Sequence, residues 1–164
     1  MLAGLWMASD RSPELLGLLG GATAPASGQE LVGIATVIDG DTVEIHGRRV
    51  RLHGIDAPES AQLCTRPDGS RWRCGQASAL ALADRIGRHQ ITCRQTDTDH
   101  YGRIIAICRQ AGADLNGWLV EQGLAVAYRR YSLDYARAED RARRAQRGIW
   151  GTTFDMPWDW RRAQ

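Results

Sequence analysis

The sequence predicts a small β-barrel with helices packed outside it, a β-barrel-plus-helices (α+β) fold. Three observations carry that expectation. Five short β-rich segments are separated by turn signals, and three longer stretches place apolar residues at helical spacing. The 164 residues, 43% hydrophobic and 24% charged, have the length and mix of one globular domain. The same numbers exclude other classes. No apolar run approaches the roughly 18 residues that mark a membrane span, and the 18 Gly and 5 Pro show no collagen-like period.

Residues 1–29 stand apart. Leu15, Leu16, Leu18 and Leu19 form a short apolar patch, and Ala24-Pro25-Ala26 has the small-x-small form of a signal-peptidase site. Asp10, Arg11 and Glu14 crowd the patch, so the segment is read as a cleaved or disordered leader. The folded domain is expected over residues 30–151, followed by a Trp-rich tail over residues 152–164 with no assignable role.

Residues 31–38 read as the first strand, and Asp39-Gly40 is a hairpin turn signal. Residues 41–45 alternate, with Val43 and Ile45 on one face, and His46-Gly47 turns the chain again. Residues 48–55 form a third strand with Val50 and Leu52 inward, which points Arg51 off the core face. Pro58 holds Ala57 extended and ends the meander. Residues 75–86 read as a helix with Ala79, Leu80, Ala83 and Ile86 at helical spacing. Residues 90–95 and 103–109 are two further strands around a turn at residues 99–102. Residues 114–122 form a second helix closed by Gly123, and residues 133–147 a third stopped by Gly148.

Four cysteines allow three pairings. Cys93 and Cys108 lie at equal distances from a turn centred between His100 and Tyr101. An antiparallel hairpin sets such positions about 4.5–5.5 Å apart at Cα, within disulfide range. Cys64 and Cys74 would then close the polar loop. Free thiols would suit strand positions but not that loop, and no Cys-x-x-Cys pair points to zinc. Two disulfides imply an oxidising compartment, periplasmic or secreted.

The net charge of +2 is too mild to prove an anionic partner. All 21 basic residues are Arg, a chain-wide choice that coding bias explains. Any phosphate contact must therefore come from a guanidinium, a backbone N–H or a hydroxyl.

Asp39-Gly40-Asp41-Thr42 is by itself a hairpin turn, and Arg51 followed by Asp56-Ala57-Pro58-Glu59 is by itself a strand end. The meander sets their strands side by side, so Asp41 and Asp56 can approach each other. Two close carboxylates repel unless neutralised, and Ca2+ accepts carboxylates, backbone carbonyls and water together. The Ala57 carbonyl offers a further ligand. Arg51 and Arg103, if they flank the cluster, would clamp a phosphate, while Glu59 could orient or deprotonate an attacking water.

These motifs, Asp39-Gly40-Asp41-Thr42, Arg51-Leu52-x-Gly54-Ile55-Asp56-Ala57-Pro58-Glu59 and Asp99-x-Tyr101-Gly102-Arg103, resemble the signature of the staphylococcal nuclease (thermonuclease) family. Leu115-Asn116, Leu119-Val120-x-x-Gly123-Leu124-Ala125 and the segment 138–150 are similar to that family's helices, and the tail resembles its cysteine-bearing bacterial members. The resemblance implies a five-stranded OB-fold barrel with three helices and a Ca2+-dependent phosphodiesterase that cuts DNA and RNA to 3′-phosphate ends. It makes Asp41, Asp56 and the Ala57 carbonyl metal ligands, Arg51 and Arg103 the phosphate clamp, and Glu59 the water-positioning residue or base. Tyr101 and Tyr128 would contact the nucleotide, with Asp39 behind the metal ligands. Ala57 stands where Thr is familiar, His100 where Lys is common, and the loop 60–75 differs in sequence.

Other features have two readings. The run Tyr128-Arg129-Arg130-Tyr131 is equally an aromatic–basic surface or a cap between helices. Glu139–Arg143 and Asp140–Arg144 have the spacing of surface i,i+4 pairs. Trp118 and Trp150 suit a core, and His46, His53 and His89 lack ligand spacing. A monomer without a stable membrane span is expected. The alternative to an enzyme is a catalytically silent OB-fold module that binds single-stranded nucleic acid or a protein.

Overall fold

In the computed structural model, residues 28–164 are described. The signal-like features of the leader fall within residues 1–27, outside the described residues. β1 (Glu30–Asp39) turns at Gly40 into β2 (Thr42–Ile45), which hairpins to β3 (Arg48–Leu52). Val43, Ile45, Val50 and Leu52 are all buried, the period-two burial the alternation predicts. The third strand does not run to residue 55. Gly54 takes φ +72° beneath the Tyr135 ring, 3.1 Å from where a Cβ would stand, and breaks it. The chain resumes in a new direction as β4 (Ile55–Asp56). That break carries Asp56 out of the barrel wall.

The loop that follows holds a two-residue ladder, β5 (Cys64–Thr65) on β6 (Arg71–Trp72), and leads into α1 (Cys74–Ile86). The buried face of α1 is Cys74, Ser78, Leu82 and Ile86, not the Ala79, Leu80, Ala83 set. Leu80 is 57% exposed. Ser78 goes inward because its hydroxyl donates to the Leu124 carbonyl (2.5 Å), which a hydrophobicity pattern does not anticipate.

β7 (Gln90–Thr98) and β8 (Ile104–Gln110) form the long hairpin, and β9 (Ala113–Asp114) extends its edge. β7 runs three residues beyond its expected end, while β8 keeps its expected length one position further on. A bulge between Gln95 and Asp97 sets the register that places Cys93 opposite Cys108. β1 pairs antiparallel with β7, while β3 pairs parallel with β8. The order β3-β2-β1-β7-β8 thereby closes on itself as a five-stranded barrel of mixed pairing, as expected from the sequence. Both disulfides are present, Cys64–Cys74 and Cys93–Cys108.

α2 (Leu115–Glu121), capped by the Asp114 side chain, packs on the barrel. The Asn116 side chain accepts from the Cys108 N–H and donates to the His53 and Ala106 carbonyls, riveting the helix to β3 and β8. β10 (Val126–Ala127) pairs with β4. α3 (Ala136–Arg144) is shorter than residues 133–147, since Tyr135 is buried as its N-cap and Leu133 is exposed. Its carboxylates do not pair along the helix. Glu139 and Asp140 both turn to Arg129.

The tail is structural. After a 3-10 turn (Gly148–Gly151), α4 (Pro157–Arg162) is a fourth helix, too short for periodicity to reveal. Trp72, Trp150, Phe154, Met156 and Trp158 pack around Cys64, Cys74, Val126 and Ile149 as a second apolar cluster. No helix among the described residues is long and apolar enough to cross a membrane.

Candidate active site

The sequence-predicted residues meet at one cleft of about 450 Å³, lined by Asp39, Asp41, Arg51, Ala57, Glu59, Tyr101, Arg103 and Tyr128 among others. Asp56 lies beneath its floor, fully buried.

The Asp39-Gly40 turn positions the first acid. Asp39 accepts the Asp41 N–H (3.0 Å), and Asp41 in turn accepts the Ala57 N–H on Oδ2 (2.8 Å) and the Thr42 hydroxyl on Oδ1 (3.1 Å). Arg51, aimed off the core face of β3, bridges both acids. Its Nη1 donates to Asp41 Oδ1 (3.0 Å) and its Nη2 to Asp56 Oδ1 (3.2 Å). Burial pushes the Asp41 carboxyl up to about 6; Arg51 opposes this and Asp39 adds to it. Burial, with repulsion from Asp41, likewise raises Asp56 against the pull of Arg161 and Arg51.

Gly75 fixes the height of Glu59. A Cβ on Gly75 would stand 1.7 Å from the Glu59 carbonyl oxygen, so the close approach of α1 to this loop requires glycine. The buried Gln62 side chain accepts the Glu59 N–H (3.2 Å) and donates to the Asp155 carbonyl (2.6 Å), tying the loop to the tail.

On the opposite wall, Asp99 shapes the β7–β8 turn. It accepts the N–H groups of Tyr101 and Arg103 (2.9 Å each) and the Arg103 Nε (2.6 Å). Burial opposes ionisation of Asp99, but the Arg103 N–H and guanidinium outweigh it and hold the carboxyl below its usual value. Arg103 lies 5.6 Å from the Tyr101 ring centroid, and Tyr101 is 74% exposed at the rim. A second pocket of about 360 Å³ adjoins the cleft through Arg51, His100, Arg103 and Tyr128. It has Leu52, Ile55 and Ile105 in its walls.

One cleft residue was not predicted. Arg161 of α4 donates Nη1 to Asp56 Oδ1 (3.0 Å) and to Glu59 Oε1 (2.6 Å), and Nη2 to Asp56 Oδ2 (2.8 Å). Its pKa is raised chiefly by Asp56. Pro157, a helix-start signal, is all the sequence offers towards it.

Among the described residues no group of three or more His, Cys, Asp or Glu side chains is gathered to hold a metal ion. The donor set nevertheless fits a hard cation. Two buried carboxylates, Asp41 and Asp56, supply oxygen donors beside the Ala57 segment of the cleft. Water would complete such a shell.

Comparisons with known proteins point to one family. The chain is 42% identical over 125 residues to the succinoglycan biosynthesis protein ExoI of Rhizobium meliloti, covering 74% of this chain but only 65%, less than two thirds, of that relative's length. It is 32% identical over 148 residues to a micrococcal nuclease of Shigella flexneri, covering 79% of each. It is 30% identical over 139 residues to an uncharacterized endonuclease of Haemophilus influenzae, covering 80% of this chain and 72% of that one. A family model described as staphylococcal nuclease homologue matches residues 49–152. That span runs from β3 to the end of the 3-10 turn and takes in Arg51, Asp56, Glu59 and Arg103. The chain belongs to the staphylococcal nuclease homologue family.

Proposed function

We propose that the chain is a calcium-dependent phosphodiesterase that hydrolyses DNA and RNA to products with 3′-phosphate ends. The observation that carries this is Arg51, which spans Asp41 and Asp56 inside the cleft that also holds Glu59 and Arg103. A binding module for polyanions would have no use for buried carboxylates beside the phosphate.

Asp41, Asp56 and the Ala57 carbonyl are the residues to hold Ca2+, which when bound supplies fixed positive charge beside a phosphate oxygen. Arg51 and Arg103 donate to the non-bridging oxygens as charge builds on them. Glu59 accepts a proton from the attacking water; the new P–O bond forms, the bond to the 5′ oxygen breaks, and that oxygen takes its proton from solvent water. Tyr101 and Tyr128 contact the nucleotide, and the Leu52, Ile55 and Ile105 walls of the adjoining pocket suit a base. The two disulfides support an extracytoplasmic location, periplasmic or secreted.

The test is digestion of denatured DNA and of RNA with Ca2+ and with chelator, followed by end-group analysis. Cleavage with Ca2+ that leaves 3′-phosphates is the expected result. Cleavage that survives chelation rejects the calcium dependence, and no cleavage under any condition rejects the enzyme.

A further inference from the structure

The tail builds a second groove against the cleft. It encloses about 280 Å³ between Tyr128, Arg130, Trp158, Arg161 and Arg162. Two of these, Tyr128 and Arg161, also line the cleft, so the two spaces adjoin. Tyr128 borders the base-sized pocket as well. Cleft, pocket and tail groove therefore meet around one ring, with the scissile position proposed above between the other two.

The lining of the tail groove is aromatic and basic. The Tyr128 and Trp158 rings stand 5.6 Å apart with planes inclined by 39°, and Trp158 is anchored in the second apolar cluster. Of the adjacent arginines, Arg129 is consumed by Glu139 and Asp140. Arg130 is exposed and forms no ion pair among the described residues. Arg162 is paired only with Asp159 of its own helix turn. An aromatic floor under one unpaired guanidinium and one held only by an exposed neighbour on its own helix is the lining that holds a single strand without reading its sequence.

We infer that this groove is a subsite for the nucleotide flanking the scissile phosphate on the side away from the Leu52–Ile55–Ile105 pocket. A base packs on Trp158, and the next phosphate lies between Arg130 and Arg162. The inference rests on the proposed nuclease reading for its substrate. It makes the C-terminal helix a determinant of preferred substrate length.

The test is fluorescence anisotropy with a labelled single-stranded 12-mer in chelator, which stops any metal-dependent turnover, across a salt series. The wild type is compared with Arg130→Ala, an exposed change, and with Trp158→Leu, whose folding is checked by thermal melting. Arg130→Ala is expected to weaken binding several-fold and to flatten the log K against log salt slope by about 0.7, the loss of one phosphate contact on a single strand. Trp158→Leu should weaken it about tenfold. If both variants bind the 12-mer with wild-type affinity and slope, the subsite is rejected. In parallel, the ratio of kcat/KM for the 12-mer to that for a dinucleotide should fall in Arg130→Ala, because a dinucleotide lacks the phosphate that Arg130 holds, while Trp158→Leu lowers kcat/KM for both substrates. If the wild type hydrolyses nothing while Arg130→Ala still loses affinity and slope, the nuclease reading fails and the subsite stands.

Discussion

Arg161 grips Asp56 through both terminal nitrogens, at 3.0 and 2.8 Å, across 105 residues of sequence. The tail thus places a guanidinium on the carboxylate expected to bind the metal. Removing that like charge must favour an incoming dication, because charges a few ångströms apart at a protein surface interact by about 4 kcal/mol. Arg161→Gln should tighten Ca2+ binding at least tenfold by titration calorimetry, with Arg161→Lys intermediate. The same variant should lower the stability of the metal-free protein by about 1–3 kcal/mol, since Asp56 keeps only Arg51. Unchanged calcium affinity would remove Arg161 from any competition for the acidic site.

Asp41 gives the pH dependence. Its folded pKa is raised from 3.8 to about 6, so between those values the folded state holds a proton that the unfolded state has released. Its contribution to stability is full below about pH 4 and is lost as pH rises through about 6. The maximum slope is about 1.4 kcal/mol per pH unit. Acids with lowered pKa values, such as Asp99, act in the opposite sense at lower pH. Denaturant melts of metal-free protein from pH 4.5 to 6.5 should show the decline, and Asp41→Asn should reduce it, leaving the share of Asp56, which burial raises in the same sense.

Arg103 is oriented by Asp99 and contributes nothing to the barrel core. Arg103→Ala should lower kcat by about 10²–10³ while the melting temperature stays near that of the wild type. Near-normal kcat would take Arg103 out of the phosphate clamp.

Gly75 predicts a backbone effect. Gly75→Ala pushes a methyl group into the Glu59 carbonyl. It should cost about 2 kcal/mol or more, as overpacking does, and reduce turnover together with stability. An active, fully stable Gly75→Ala protein would show that the Glu59 loop is free to shift.

The Cys64–Cys74 bridge closes a short loop and sits in the cluster that seats the tail. Replacing both cysteines with Ala should cost about 3 kcal/mol on the chain-entropy account. Proteolysis after residue 151 should then outpace cleavage within the barrel, as read by mass spectrometry of the fragments.

Much of this molecule is determined by local sequence. Alternation in residues 41–52 decides which side chains enter the barrel. The symmetry of residues 93 and 108 about a turn points to their disulfide, and short polar motifs mark the acids and arginines of the cleft. Such features are legible because strand period, turn chemistry and hairpin register act over a few residues. The inward turn of Ser78, the break at Gly54, the claim of Arg129 on Glu139 and Asp140, and the arrival of Arg161 at Asp56 were decided by the tertiary structure. Each depends on a partner ten or more residues away, beyond the reach of strand period or turn chemistry and brought near only as the tertiary structure forms.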